Sequence, residues 1–142
     1  MSREQILAAI PHRPPMLLLD EVSEWEAERI VCQKTFHPEE FFFQGHYPNF
    51  PLVPGVILCE AAMQAGAVLL SKHAQGEGVP VVGRLNDVKF KRMIRPGETV
   101  QIEAMLEERM ADAFFLSAKV TCEGKLAASL SFVVTLAKQA AQ

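Results

Sequence analysis

"LVPGVILCEAAMQAGAVLL", residues 52–70, decides how the rest of the chain is read. These 19 residues carry one charge, Glu60. The length approaches a membrane span. However, Pro54, Gly55, Glu60, Gln64 and Gly66 interrupt it, and no pattern of arginine and lysine anchors flanks it. The segment reads as a helix buried on most sides within a soluble domain, from about Pro54 to about Ala74. Proline at a helix start costs nothing, because that N–H would have no partner. So apolar a helix needs covering, and the residues around it supply sheet.

Downstream, Val100, Ile102, Ala104 and Leu106 alternate with polar neighbours. Phe114 to Cys122 and Leu126 to Leu136 do the same, joined by the turn "EGK". Period two over such lengths predicts strands with one buried face. "RLNDVKFKRMI" (84–94) adds a strand, "RPGE" and "QGEGVP" add turns. Upstream, "SREQILAAI" predicts a short helix, with Ser2 and Gln5 as a capping box. "MLLLDEV" (16–22) and "RIVCQKTF" (29–36) predict strands joined through "SEWEAE", and a long loop rich in phenylalanine and proline follows over 37–53. One short helix, two strands, a long helix and four strands do not alternate as βαβ units. The order implies an α+β fold, an antiparallel sheet wrapped around a central helix.

The chain has 142 residues, the size of one domain, and 49 % of them are hydrophobic, enough for a core without staples. A net charge of −3 gives no general attraction for nucleic acid or anionic membrane. Cys32, Cys59 and Cys122 are odd in number and widely spaced. They argue against a disulfide framework or zinc site and for a reducing, cytoplasmic location. No histidine pair has ligand spacing, so no metal and no cofactor are expected. The N-terminus lacks a basic stretch followed by an apolar one, so no signal peptide is expected.

Chemistry concentrates in "GHYPNFPLVPGVILCE", residues 45–60. Glu60 has Val56, Ile57, Met63 and Gln64 as its helical neighbours. A carboxylate buried there would take up a proton and serve as a general acid; alternatively it reaches solvent at a helix edge. His46, between turn-forming residues, is a base candidate or an ordinary loop histidine. His12, His37 and His73 read as structural or surface residues. Gly55 opens the helix, where free N–H groups carry partial positive charge and an oxygen can approach closely.

"PHRPPMLLLDEV", "FFFQGHYPNFPLVPGVILCEAAMQ" and "DVKFKRMIRPGETV" occur in that order. Together, from about Ile10 to about Leu136, they resemble the 3-hydroxyacyl-acyl carrier protein dehydratases of type II fatty acid synthesis, the short, non-isomerising type. The resemblance implies the hot dog fold, a homodimer with shared active sites, and often a trimer of dimers. It implies conversion of (3R)-hydroxyacyl chains on acyl carrier protein to trans-2-enoyl chains. It makes His46 and Glu60 the catalytic pair, contributed by opposite protomers, with glutamate in place of the aspartate of a related dehydratase/isomerase. Gly55 matches the residue whose N–H polarises the thioester, and Gln64 matches a family glutamine. Phe43, Tyr47 and Met63 complete the expected substrate contacts. Asn49 and Phe50 replace a glycine–lysine pair, Pro14 an aromatic, and Ala62–Met63 reverse the family's order.

Lys89, Lys91, Arg92 and Arg95 form a local basic cluster on an acidic chain. It reads either as a docking patch for the acidic carrier protein or as a charged strand edge that resists aggregation. Phe41, Phe42 and Phe43 read as tunnel lining or as core. An acyl thioesterase of the same fold and a non-catalytic acyl-binding protein are the competing functions; the His46–Glu60 pair argues against both.

Overall fold

The computed structural model describes residues 3–45, 49–73 and 78–137. Two helices and six strands form in the order α1 (Arg3–Ala9), β1 (Glu21–Trp25), β2 (Arg29–Thr35), α2 (Gly55–Leu70), β3 (Val79–Phe90), β4 (Thr99–Met110), β5 (Ala113–Cys122) and β6 (Lys125–Ala137). The strands make one antiparallel sheet of order β1-β2-β4-β5-β6-β3. Helix α2 lies on it, packed chiefly on β4 and β5. This is the expected α+β arrangement.

The alternating runs became strands because each puts one set of side chains against α2. Ile102 and Ala104 of β4, Phe114 and Leu116 of β5, and Leu130 and Phe132 of β6 are all buried. The helix answers with Leu58, Ala61, Ala62, Ala65, Val68 and Leu69. Its small residues let the backbone come close. A Cβ on Gly66 would stand 2.8 Å from the Phe132 ring. The hairpin joining β5 and β6 turns through Glu123 and Gly124, both at positive φ.

Three expectations need correction. "MLLLDEV" does not form a strand over its length. Leu17, Leu18 and Leu19 are buried but irregular, and β1 starts at Glu21 and takes in Ser23–Trp25. The expected strand over 84–94 starts earlier, at Val79, and ends at Phe90. Its ladder with β6 stops where Lys91 and Arg92 both donate their N–H groups to the Ala127 carbonyl. Helix α2 ends at Leu70, short of Ala74, and Pro54 is its N-cap residue rather than its first turn. The Ser2 cap and the "QGE" part of the turn lie outside the described residues.

Strand β3 is an edge. Val81, Val82 and Leu85 are each more than two-fifths exposed, and Phe90 is 53 % exposed. Twelve residues with that many exposed apolar side chains form an edge a monomer would normally blunt. Among the described residues, no helix is long and apolar enough to cross a membrane.

Candidate active site

Glu60 sits in the second turn of α2, and Gln64, one turn on, fixes its surroundings. The Gln64 side chain is fully buried. Its Oε1 accepts the Leu18 N–H at 2.8 Å, and its Nε2 donates to the Met16 carbonyl at 2.7 Å. Those backbone partners fix the orientation of the amide, since a flipped amide would set donor on donor and acceptor on acceptor. The second Nε2 proton therefore points to Glu60 Oε2, at 2.9 Å. Gln64 thus ties the irregular 16–18 segment to the helix and holds the carboxylate. Gln64 was expected to contact substrate; in this protomer its side chain is fully buried and its amide is engaged by Leu18, Met16 and Glu60.

Glu60 itself is 29 % exposed at the side chain. In the single protomer it lies at the helix edge, with polar groups on one oxygen. His12 Nε2 lies 3.6 Å from that same Oε2. From sequence, His12 reads as a structural or surface residue. No local signal links it to a residue 48 positions away. His46 and Tyr47 lie outside the described residues.

Gly55 is the first residue of α2, after Pro54, which has no side-chain oxygen to cap the helix. Beside it opens a cleft of ≈ 670 Å³, lined by Leu52, Val53, Gly55, Val56, Leu58, Phe90 and Met93, with Lys91 and Arg92 on its wall. Val56 is one turn before Glu60 on the same helical face, and it is 72 % exposed. The cleft is thus apolar, open, and bordered by uncapped helix N–H groups. Met63 packs against the core at its margin.

Phe41–Phe43 form one short 3-10 turn. Phe42 and Phe43 are buried in the core, with Phe42 edge-on to Phe36, while Phe41 is 41 % exposed. The basic cluster is also reorganised. Only Lys89 belongs to β3, and Lys91, Arg92 and Arg95 follow its end, so the cluster is not a single strand edge. A shift in the ladder between Asn86 and Lys89, with Asp87 at positive φ, breaks the alternation first. Arg92 donates to Glu98 at 2.9 Å, and Arg95 N–H to the other carboxylate oxygen at 2.8 Å. Together these hold the Glu98 carboxyl below the usual carboxylate range, Arg92 contributing most. Lys89, Lys91 and Arg95 are exposed, and the Arg95 guanidinium lies 5.3 Å from the Phe50 ring centroid.

Residues 10–131 match the family model described as FabA-like domain. The chain is 40 % identical over 131 residues to a 3-hydroxyacyl-[acyl-carrier-protein] dehydratase FabZ of Oenococcus oeni, covering 91 % of this chain and 94 % of that protein. It is 33 % identical over 138 residues to one from Petrotoga mobilis, covering 97 % and 99 %. Among solved structures, the dehydratase heterocomplex ApeI:P from Xenorhabdus doucetiae superposes with a TM-score of 0.78 at 17 % identity, covering 94 % of this chain and 91 % of that one. The Escherichia coli PaaI protein superposes at 0.66 and 16 % identity, covering 81 % of each chain. These structural likenesses bear on the fold, which is the hot dog fold. The sequence match over nearly the whole chain goes further, and on it this chain belongs to the FabZ-type 3-hydroxyacyl-[acyl-carrier-protein] dehydratases, within the FabA-like family.

Proposed function

We propose that the chain removes water from (3R)-hydroxyacyl thioesters carried on acyl carrier protein, giving trans-2-enoyl thioesters in fatty acid biosynthesis, with His46 as base and Glu60 as acid. The observation that carries the assignment of Glu60 is its setting. Gln64 donates to one carboxylate oxygen, and the side chain remains partly open on the helix face that leads to the apolar cleft. His46 takes the proton alpha to the thioester carbonyl. The Gly55 N–H stabilises the oxygen that gains charge, a role suited to an uncapped helix N-terminus. The bond from the beta carbon to its hydroxyl breaks as Glu60 delivers its proton, and the hydroxyl leaves as water. His46 ends protonated and Glu60 ionised, and exchange with solvent resets both.

The working unit in this proposal is a homodimer in which His46 of one protomer faces Glu60 of the other. The exposed β3 edge supports it: a second copy would continue the sheet and cover Val81, Val82 and Leu85. The cleft beside Gly55 lies at the end of that strand, at Phe90, so the same interface would roof the acyl site. Assembly into a trimer of dimers and carrier docking at the basic cluster belong to the same proposal.

The test is to incubate the protein with a 3-hydroxyacyl thioester and follow enoyl absorbance and free thiol separately. Enoyl formation without thiol release is the expected result. Thiol release alone would make the protein a thioesterase, and neither signal would make it a non-catalytic acyl binder.

A further inference from the structure

His12 is the one titratable side chain that the described residues place against Glu60, and nothing in the reaction above uses it. It follows α1 in "IPHRPP", a segment stapled in place. The Arg13 guanidinium donates to the carbonyls of Leu7, Ile10 and His12 at 3.0, 2.9 and 2.7 Å. On either side of the segment, Ile10 and Leu17–Leu19 are buried. The backbone that carries His12 is therefore held from both ends. Its imidazole points Nε2 at Glu60 Oε2, 3.6 Å away.

The two ring nitrogens differ in their surroundings. Nδ1 is buried and has no hydrogen-bond partner among the described residues, whichever tautomer the ring adopts. Nε2 faces the carboxylate oxygen, and only a proton there makes that approach attractive, since a bare Nε2 would set lone pair against lone pair. The neutral ring therefore carries its proton on Nε2.

We infer that His12 is a positioning residue for the acid: its Nε2–H and the Gln64 amide both address Glu60 Oε2, and so place the catalytic proton on Oε1. An oxygen that receives one N–H group and is faced by a second is a poor site for a proton of its own. Among the described residues no hydrogen bond reaches Oε1. The neutral acid is then held in one tautomer, with its proton on the oxygen left free to meet the leaving hydroxyl. At 3.6 Å the His12 contact is longer than a hydrogen bond. It needs to close by about half an ångström as substrate binds, as catalytic contacts commonly do.

The inference rests on Glu60 being the acid, so the experiment carries Glu60→Gln alongside. His12→Gln keeps an N–H donor at a similar reach and does not titrate. His12→Met has nearly the same length and shape without the donor. With an N-acetylcysteamine 3-hydroxyacyl thioester, His12→Met should lose about 10- to 100-fold in kcat with KM little changed, the scale of one hydrogen bond to a charged group. His12→Gln should stay within about 5-fold of the wild type. Equal loss in both, loss confined to KM, or no loss in His12→Met overturns the proposal. Full activity of Glu60→Gln would instead overturn the acid assignment. Should His12→Met fail to fold, 15N NMR of the wild-type imidazole decides the matter. The Nε2–H tautomer is expected, and an Nδ1–H tautomer overturns the inference.

Discussion

Glu60 and Gln64 are one helical turn apart, and the physics of the pair differs from what composition implies. A carboxylate in an apolar stretch suggests a desolvated acid. The fold instead gives Glu60 a partly open side chain and spends the burial on Gln64, whose amide is saturated by Leu18 N, Met16 O and Glu60. The acid is thus oriented by a buried neutral group. Two variants test the assigned roles. His46→Ala and Glu60→Gln should each lower kcat by about 10²–10⁴-fold, the usual contribution of a general base or acid, while far-UV circular dichroism and the dimer are retained. Near-normal turnover in either purified variant would remove that residue from the mechanism. Glu60 was legible from sequence because a lone charge in 19 apolar-rich residues is conspicuous. His12 was not, since its significance arises only when the loop after α1 folds back onto α2.

Among the elements, what was legible followed periodicity. β4, β5 and β6 could be read because each exposes one face to α2 and the other to water, which imprints period two. The run Leu17–Leu19 has no period: it is buried as an irregular segment, with its backbone satisfied in part by the Gln64 side chain, a partner 46 residues away from Leu18. The end of β3 was misread because an edge strand has no second neighbour to enforce alternation, and a bulge at Asp87 shifts the faces. Helix α2 has a sharper constraint. A Cβ at Gly66 would stand 2.8 and 2.9 Å from atoms of Phe132, a ring only 1 % exposed and unable to retreat. Gly66→Ala gains about 1 kcal/mol in helix propensity, but overpacking a rigid core costs about 1–3 kcal/mol. Because the Phe132 ring cannot retreat, the upper part of that overpacking range applies, about 2–3 kcal/mol, and the net loss should be about 1–2 kcal/mol, read as a fall of roughly 3–8 °C in Tm. At Gly55 an added Cβ meets Phe90 at 2.7 Å, but that ring is 53 % exposed and can swing away. Unchanged or raised stability of Gly66→Ala would show that α2 does not press on the sheet as closely as the geometry requires.

At the scale of the whole molecule, the proposed shared site and the proposed carrier surface each make a prediction. If His46 and Glu60 meet across protomers, mixing inactive His46→Ala and Glu60→Gln proteins should recover activity. Each mixed dimer then holds one intact pair, so the yield should approach a quarter of wild type when half of the dimers are mixed, roughly as a simple statistical expectation from the twofold site count. Mass spectrometry must show subunit exchange, and exchange without recovered turnover would place the pair within one protomer. Carrier docking is tested on a narrower set of cations than the sequence suggested. Arg92 is committed to Glu98, and with Lys91 it forms part of the cleft wall, so reversing either would disturb the turn or the substrate site itself. Lys89 and Arg95 are exposed and lie outside that lining. The double reversal Lys89→Glu with Arg95→Glu should lower kcat/KM for acyl carrier protein substrates by about 2- to 30-fold, since exposed charge pairs contribute about 0.2–1 kcal/mol each. It should leave N-acetylcysteamine thioesters unaffected, because they lack the acidic carrier surface. The loss should shrink as salt rises, because at physiological ionic strength the Debye length is already only about 8 Å. Equal loss for both substrates would assign the two cations to structure, through the Arg95–Phe50 stacking for example. No loss for either would move carrier docking to another face of the molecule.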